Sequence, residues 1–207
     1  MKIPVLLDDY YHPGEVIEYG LNKLSDTHDF EYYYDGSTFD FSTLSDYRLI
    51  ILTKSNVIDR NHKEPFMGQP EVDALLKFVR NGGALLALHA GTTSFENYPE
   101  IKALIGGRFD HHPDPLPVHC VPQKGHFMTE GIPEYVFTDE HYHLNMTDDV
   151  DIFMTTVSDH GEQPGGWIRH EGQGRVCVLT PGHYKEVFDE PSYQLQIRKC
   201  IAWCLDE

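Results

Sequence analysis

Thirteen histidines are spread through the 207 residues, and several stand where chemistry is usually done. His89 opens the run His89-Ala90-Gly91-Thr92-Thr93-Ser94, directly after the apolar segment Ala84 to Leu88. His12 lies in Tyr10-Tyr11-His12-Pro13-Gly14, after the apolar Ile3 to Leu7, and His183 follows Arg175 to Thr180 in Pro181-Gly182-His183. The run Asp139-Glu140-His141-Tyr142-His143 adds two carboxylates and a phenol. Neutral imidazoles and carboxylates are common ligands for zinc and related divalent ions. Three of them with an open position support water activation or carbonyl polarisation. Without a metal the same groups shuttle protons, because imidazole titrates near neutrality. Either chemistry requires residues distant in sequence to meet.

The elements that would bring them together follow an α/β pattern. Ile3 to Leu7, Phe30 to Tyr34, Tyr47 to Thr53 and Ala84 to Leu88 read as buried strands, and Glu15 to Leu24, Glu71 to Arg80 and Glu96 to Ile105 as helices between them. Asn81-Gly82-Gly83 supplies a helix stop. Ser55 to Pro70 lacks periodicity and reads as a loop. Strand-helix alternation predicts a mostly parallel sheet with helices on both faces. In a right-handed βαβ unit the turn after a strand lies at the sheet's carboxyl edge, where such folds hold ligands, and His89 occupies such a turn. The second half is richer in strands (Val118 to Val121, Tyr135 to Leu144, Asp151 to Val157, Trp167 to His170, Arg175 to Thr180) and reads as the rest of the sheet plus a β-rich insertion, closed by a helix over Tyr193 to Leu205. No repeat or linker divides the chain, so residues 1–207 are expected to form one domain. If 139–143 is one strand, Glu140 and Tyr142 share one face and His141 and His143 the other, turned to solvent.

Sixteen Lys and Arg against 33 Asp and Glu give a formal charge of −17. That field repels phosphate backbones and anionic membranes, so nucleic acid and lipid surfaces are not expected partners. Neutral or cationic small molecules and metal ions remain. Cys120, Cys177, Cys200 and Cys204 show no metal-ligand spacing, and no run reads as a signal peptide or membrane span. Reduced, buried thiols and a cytoplasmic location are expected.

The run from Gly82 to Gly91, Leu104-Ile105-Gly106-Gly107-Arg108-Phe109 leading to His112-Pro113, and the later pieces Gly125 to Ile132, Thr138 to Tyr142, Gly174-Arg175-Val176 and Pro181-Gly182-His183 together resemble the ThuA-like, or trehalose utilization, family. The resemblance implies a flavodoxin-like sheet of the class I glutamine amidotransferase type. In amidotransferases of that type the turn after the central strand bears a cysteine nucleophile, activated by a histidine after a later strand. Here the turn carries His89, while His183 stands where the activating histidine is expected. Cysteine-dependent glutaminase chemistry is therefore not expected; a displaced nucleophile such as Cys120 would have to lie beside His183.

The family's acidic-tyrosine motif matches Glu140 and Tyr142, and His12 also matches a family position. The resemblance thus implies a catalytic or metal-binding trio of His89, Glu140 and His183, with zinc the first candidate and no nucleotide cofactor. His12, Gly91, Thr92, Tyr142 and Trp167 are expected to contact a sugar-like substrate, Thr92 also capping the following helix. Tyr10 and Tyr11 are further candidates for stacking on a sugar face. His111, His112, His141 and His143 stay open as additional site residues. The implied activity concerns trehalose or a related disaccharide, or a sugar-derived carbonyl compound. The alternative is a non-catalytic sugar-binding or accessory protein that kept the pocket. A homo-oligomer is compatible with either.

Overall fold

The computed structural model describes residues 2–147 and 149–207. The strands are β1 (Lys2–Leu6), β2 (Asp29–Tyr33), β3 (Leu49–Leu52), β4 (Ala84–Leu88), β5 (Gly107–His111), β6 (Leu116–Pro122), β7 (Tyr135–Asp139), β8 (His143–Met146), β9 (Asp151–Ser158), β10 (Gly161–Glu171) and β11 (Gly174–Leu179). The helices are α1 (Gly14–Asn22), α2 (Gln69–Arg80), α3 (Pro99–Ile105), α4 (Lys185–Asp189) and α5 (Pro191–Leu205). Nine strands form one sheet in the order β2-β1-β3-β4-β11-β10-β9-β6-β7, while β5 and β8 make a separate two-stranded ribbon. Neighbours from β2 to β11 are parallel. From β11 outward the pairing is antiparallel.

The apolar runs of β1, β3 and β4 lack alternation because both faces of the sheet are covered. Leu86 and Leu88 pack on the side of Leu21 of α1 and Ile197 and Ile201 of α5. Leu85 and Ala87 pack on the opposite side, with Leu75 and Val79 of α2 and Ile101 of α3. In helix α2, Val72, Leu75, Leu76 and Val79 form the buried stripe, and the Glu71 carboxylate accepts a hydrogen bond from the Gly68 N–H at the N-terminus. No helix among the described residues is long and apolar enough to cross a membrane.

Several boundaries differ from the sequence reading. The stretch Tyr135 to Leu144 is not one strand: β7 ends at Asp139, Glu140–Tyr142 pass between two sheets, and β8 begins at His143. The helix expected from Glu96 begins only at Pro99, since a separate short turn of 3-10 helix spans His89–Thr92. Strand β10 reaches back to Gly161 and passes Pro164-Gly165-Gly166 through a bulge, which turn-forming residues disguise in the sequence.

Candidate functional site

The carboxyl ends of β1, β3, β4 and β11 converge at one edge, and the loops leaving them carry the site. In the ladder, Leu88 of β4 pairs with Leu179 of β11 and Leu6 of β1 pairs with Leu52 of β3. His89 and His183 thus leave adjacent strands, and His12 arrives from the loop after β1. Residue 89 turns sharply, with φ of 43°, a left-handed conformation uncommon for a residue with a side chain. The turn is possible because Gly91 passes so close to β3 that a Cβ would sit 2.1 Å from the Leu52 carbonyl oxygen.

Ligand atoms from His12, His89, Glu140 and His183 all lie within 4.8 Å of one another. The three rings stand at steep angles with centroids 5.0 to 5.4 Å apart. Glu140 Oε2 lies 3.2 Å from His183 Nδ1, 3.3 Å from His89 Nε2 and 3.9 Å from His12 Nε2. That oxygen is buried, yet it accepts no well-oriented hydrogen bond from the described residues. A buried carboxylate oxygen left so, facing imidazole nitrogens, is the arrangement a cation satisfies.

Two of the rings are fixed from behind. His89 Nδ1 lies 2.7 Å from the Thr180 carbonyl oxygen, which only accepts, so Nδ1 carries the proton and Nε2 points its lone pair into the cluster. His12 Nδ1 donates to Asp9 Oδ1 at 2.7 Å and likewise turns Nε2 inward. Asp9 Oδ1 also accepts the backbone N–H groups of Tyr11 and His12, while its Oδ2 accepts from the N–H and hydroxyl of Ser55. Carbonyl and carboxylate partners behind ligand histidines are the usual means of fixing tautomer and ring orientation at metal sites. Asp139 anchors the backbone of the third loop, accepting from the N–H of Gly182 at 2.7 Å and of His183 at 3.1 Å.

The electrostatics follow from burial and these contacts. Burial opposes ionisation of Glu140, but the imidazoles of His12, His183 and His89 hold its carboxyl well below the usual carboxylate range. His12 is raised to about 9: burial works against the imidazolium and is outweighed by the hydrogen bond to Asp9 and the nearby Glu140 carboxylate. His89 is lowered to about 4 by burial, with the His12 charge adding to the effect against Glu140. Asp139 is pushed up to about 7 by burial, against the N–H groups it accepts. Burial keeps the Tyr142 phenol protonated; its hydroxyl lies 3.0 Å from His89 Nε2 and 3.3 Å from His12 Nε2.

His12, Glu140 and His183 line an open cavity of about 670 Å³ together with Tyr10, Tyr11, Phe109 and His112. His112 Nε2 is 3.5 Å from Glu140 Oε1, so this histidine borders the site. His111 and His143 stack on each other with centroids 4.5 Å apart and do not join the cluster.

His89, Glu140 and His183 thus meet, and His12, expected at the substrate, stands among them as a fourth ligand. Tyr142 lines the cavity. Thr92 is buried and donates its hydroxyl to the His89 carbonyl, which steadies the turn rather than capping a following helix. Gly91 is buried against β3. Trp167 is placed away from the cavity: it is fully buried, and its indole N–H donates to the Ile105 carbonyl at 2.8 Å, so its ring packs under α3. His141 is buried rather than solvent-facing, bonded to Ser158 and the Thr156 carbonyl, because the strand that would have turned it outward ends at Asp139. All four cysteines are buried free thiols, and burial pushes the Cys120 thiol up, leaving no thiolate there. The supporting Asp9 and Asp139 escaped the sequence reading. An acid three residues before a loop histidine was the one available signal for Asp9.

The profile of the ThuA family, described as trehalose utilisation, matches residues 14–204. No curated protein matches the chain. Among solved structures, a putative ThuA-like protein from Parabacteroides merdae aligns with a TM-score of 0.81 at 17% identity, over 99% of this chain and 90% of that one. Another from Bacteroides uniformis aligns with a TM-score of 0.75 at 20% identity, over 99% and 91%. A cytoplasmic protein from Salmonella typhimurium gives 0.69 at 15% identity, over 99% of both chains. At these identities the likeness is one of fold.

Proposed function

The chain belongs to the ThuA, trehalose utilisation, family, and on that premise we propose that it is a cytoplasmic enzyme of carbohydrate use whose His12, His89, Glu140 and His183 hold a divalent metal, zinc before others. The observation that carries this reading is the buried Glu140 oxygen without a well-oriented donor, ringed by three imidazole nitrogens, two with their tautomers set from behind. We further read the parallel strands β2-β1-β3-β4-β11 as a flavodoxin-like core of the glutamine amidotransferase type, with the antiparallel strands as its insertion.

Three imidazoles and one carboxylate suit zinc, manganese or nickel. A bound metal would supply Lewis acidity, polarising a sugar carbonyl or hydroxyl or lowering the pKa of a water. The chain's own groups do the rest. Glu140 stays ionised and His89 neutral, so both are ready to bind. His12 carries a proton that must leave before its Nε2 can act as a ligand. Tyr142 keeps its proton and offers a neutral donor to a substrate oxygen in the cavity.

Elemental analysis of protein purified without added metal, repeated on His89→Ala and His183→Ala, tests the proposal. It expects near-stoichiometric metal in the wild type and its loss in both variants. A wild type with no metal and no uptake on addition would refute it. That result would favour the second reading, a sugar-binding accessory protein whose elbow lost its nucleophile.

A further inference from the structure

Two histidines outside the ligand cluster face each other across the β5–β8 ribbon. The register pairs His111 with His143, and their rings stack with centroids 4.5 Å apart and planes 15° from parallel. The ribbon stands apart from the main sheet and forms part of the cavity wall. Phe109 of β5 packs on Tyr142 with centroids 4.4 Å apart, and His112, the residue after β5, reaches within 3.5 Å of Glu140. Whatever holds the ribbon in place therefore shapes the cavity.

A second attachment sets the protonation of His143. Gln163 of β10 accepts the Leu144 N–H at its Oε1, 3.2 Å away, so its NH₂ group is the one that lies 3.3 Å from His143 Nδ1. Nδ1 must then accept, with its lone pair turned to β10. A proton there would set N–H against N–H, and Gln163 cannot flip without abandoning Leu144. The surroundings offer the charge little. His111 faces the ring from β5, His141 lies 5.4 Å away in the segment before β8, and His160 of the β9–β10 turn adds like charge. The nearby carboxylate, Asp110, already accepts from His111 Nδ1 at 2.8 Å and from the Asn145 amide at 3.1 Å, with Arg108 close to it. Burial, then His111 and His160, lower His143 from its ordinary 6.5 against the pull of Asp110.

We propose that the His111–His143 stack is a pH-sensitive latch: uncharged, it closes the β5–β8 ribbon onto β10 as a wall of the cavity, and protonation of His143 releases it. An imidazole freed from the latch returns toward 6.5, so the open ribbon binds more protons than the closed one. The closed form is favoured above that value and loses ground as pH falls below it, by up to about tenfold per pH unit until the latched ring itself titrates. The latch operates independently of what the cavity binds.

The test is amide hydrogen exchange of the full chain, followed residue by residue by NMR at pH 7 and pH 5 and corrected for intrinsic exchange, on wild type, His143→Gln and Gln163→Glu. The Leu144 N–H, held by Gln163, reports on the ribbon, and the Leu86 N–H in β4 reports on the whole fold. Expected in the wild type is a loss of about tenfold or more in Leu144 protection at the lower pH, with Leu86 unchanged. The loss should vanish in His143→Gln, which takes no charge, and vanish or reverse in Gln163→Glu, which offers the protonated Nδ1 an acceptor. Equal Leu144 protection at both pH values in the wild type would overturn the latch. So would a loss shared by Leu86, since the whole chain would then be opening, or the wild-type profile persisting in either variant, since the titrating group would then lie elsewhere.

Discussion

Replacing Asp9 with asparagine perturbs the site without touching a ligand. The Asp9 carboxylate accepts five hydrogen bonds: from Tyr11 N–H, His12 N–H and His12 Nδ1 on one oxygen, and from the N–H and hydroxyl of Ser55 on the other. An asparagine is isosteric but has one accepting oxygen. If the oxygen faces His12, its NH₂ group opposes the Ser55 N–H; if it faces Ser55, the NH₂ group opposes three donors. The first is the cheaper choice and leaves one buried N–H unpaired, which costs about 1–3 kcal/mol of stability. It also takes the charge from the partner that sets the His12 tautomer, a loss that weakens metal affinity by roughly 10–100-fold at such positions. The assays are urea unfolding in chelator and zinc affinity by competition with a chromophoric chelator. A folded Asp9→Asn protein whose zinc affinity stays within twofold of wild type would refute the claim that Asp9 orients His12 for a metal.

Two further outcomes follow from the packing and the titration of groups away from the ligands. Gly91→Ala places a methyl 2.1 Å from the Leu52 carbonyl oxygen, a backbone atom that cannot swing aside, so urea unfolding is expected to show a loss of about 3 kcal/mol or more; a loss under about 1 kcal/mol would show that the turn is not held against β3. Lys54 is fully buried, its ammonium donating to the carbonyls of Tyr34 and Ile58, and burial lowers it from 10.5 to about 8. Between those values the unfolded chain binds more protons than the folded one, so stability rises with pH across that window, by about 3 kcal/mol at most. Unfolding measured from pH 8 to 10.5 should show this slope in the wild type and not in Lys54→Met; parallel pH profiles would contradict it.

The strand cores and the edge of the sheet on which the site lies were legible because buried parallel strands leave uninterrupted apolar runs. His89 and His183 could be placed because the first follows such a run directly and the second comes after two further residues, Pro181 and Gly182. Glu140 was legible as a family match, but the strand that seemed to orient it is broken at Asp139, and only the three-dimensional path past Gly182 brings it under the imidazoles. The status of His12 as a ligand depends on Asp9 and on Ser55 from the loop after β3, a pairing 46 residues apart with no local signal. Trp167 misled because Pro164-Gly165-Gly166 looks like a loop ahead of an exposed ring, whereas it is a bulge inside β10 that delivers the indole to the core.

Crystals grown with zinc, with anomalous data collected across the zinc absorption edge, test whether His12, His89, Glu140 and His183 hold a metal. One strong peak is expected, bonded to His12 Nε2, His89 Nε2, His183 Nδ1 and Glu140 at about 2.0–2.2 Å. Density showing an ordered water among those four side chains, with zinc bound only elsewhere on the acidic surface, would contradict it.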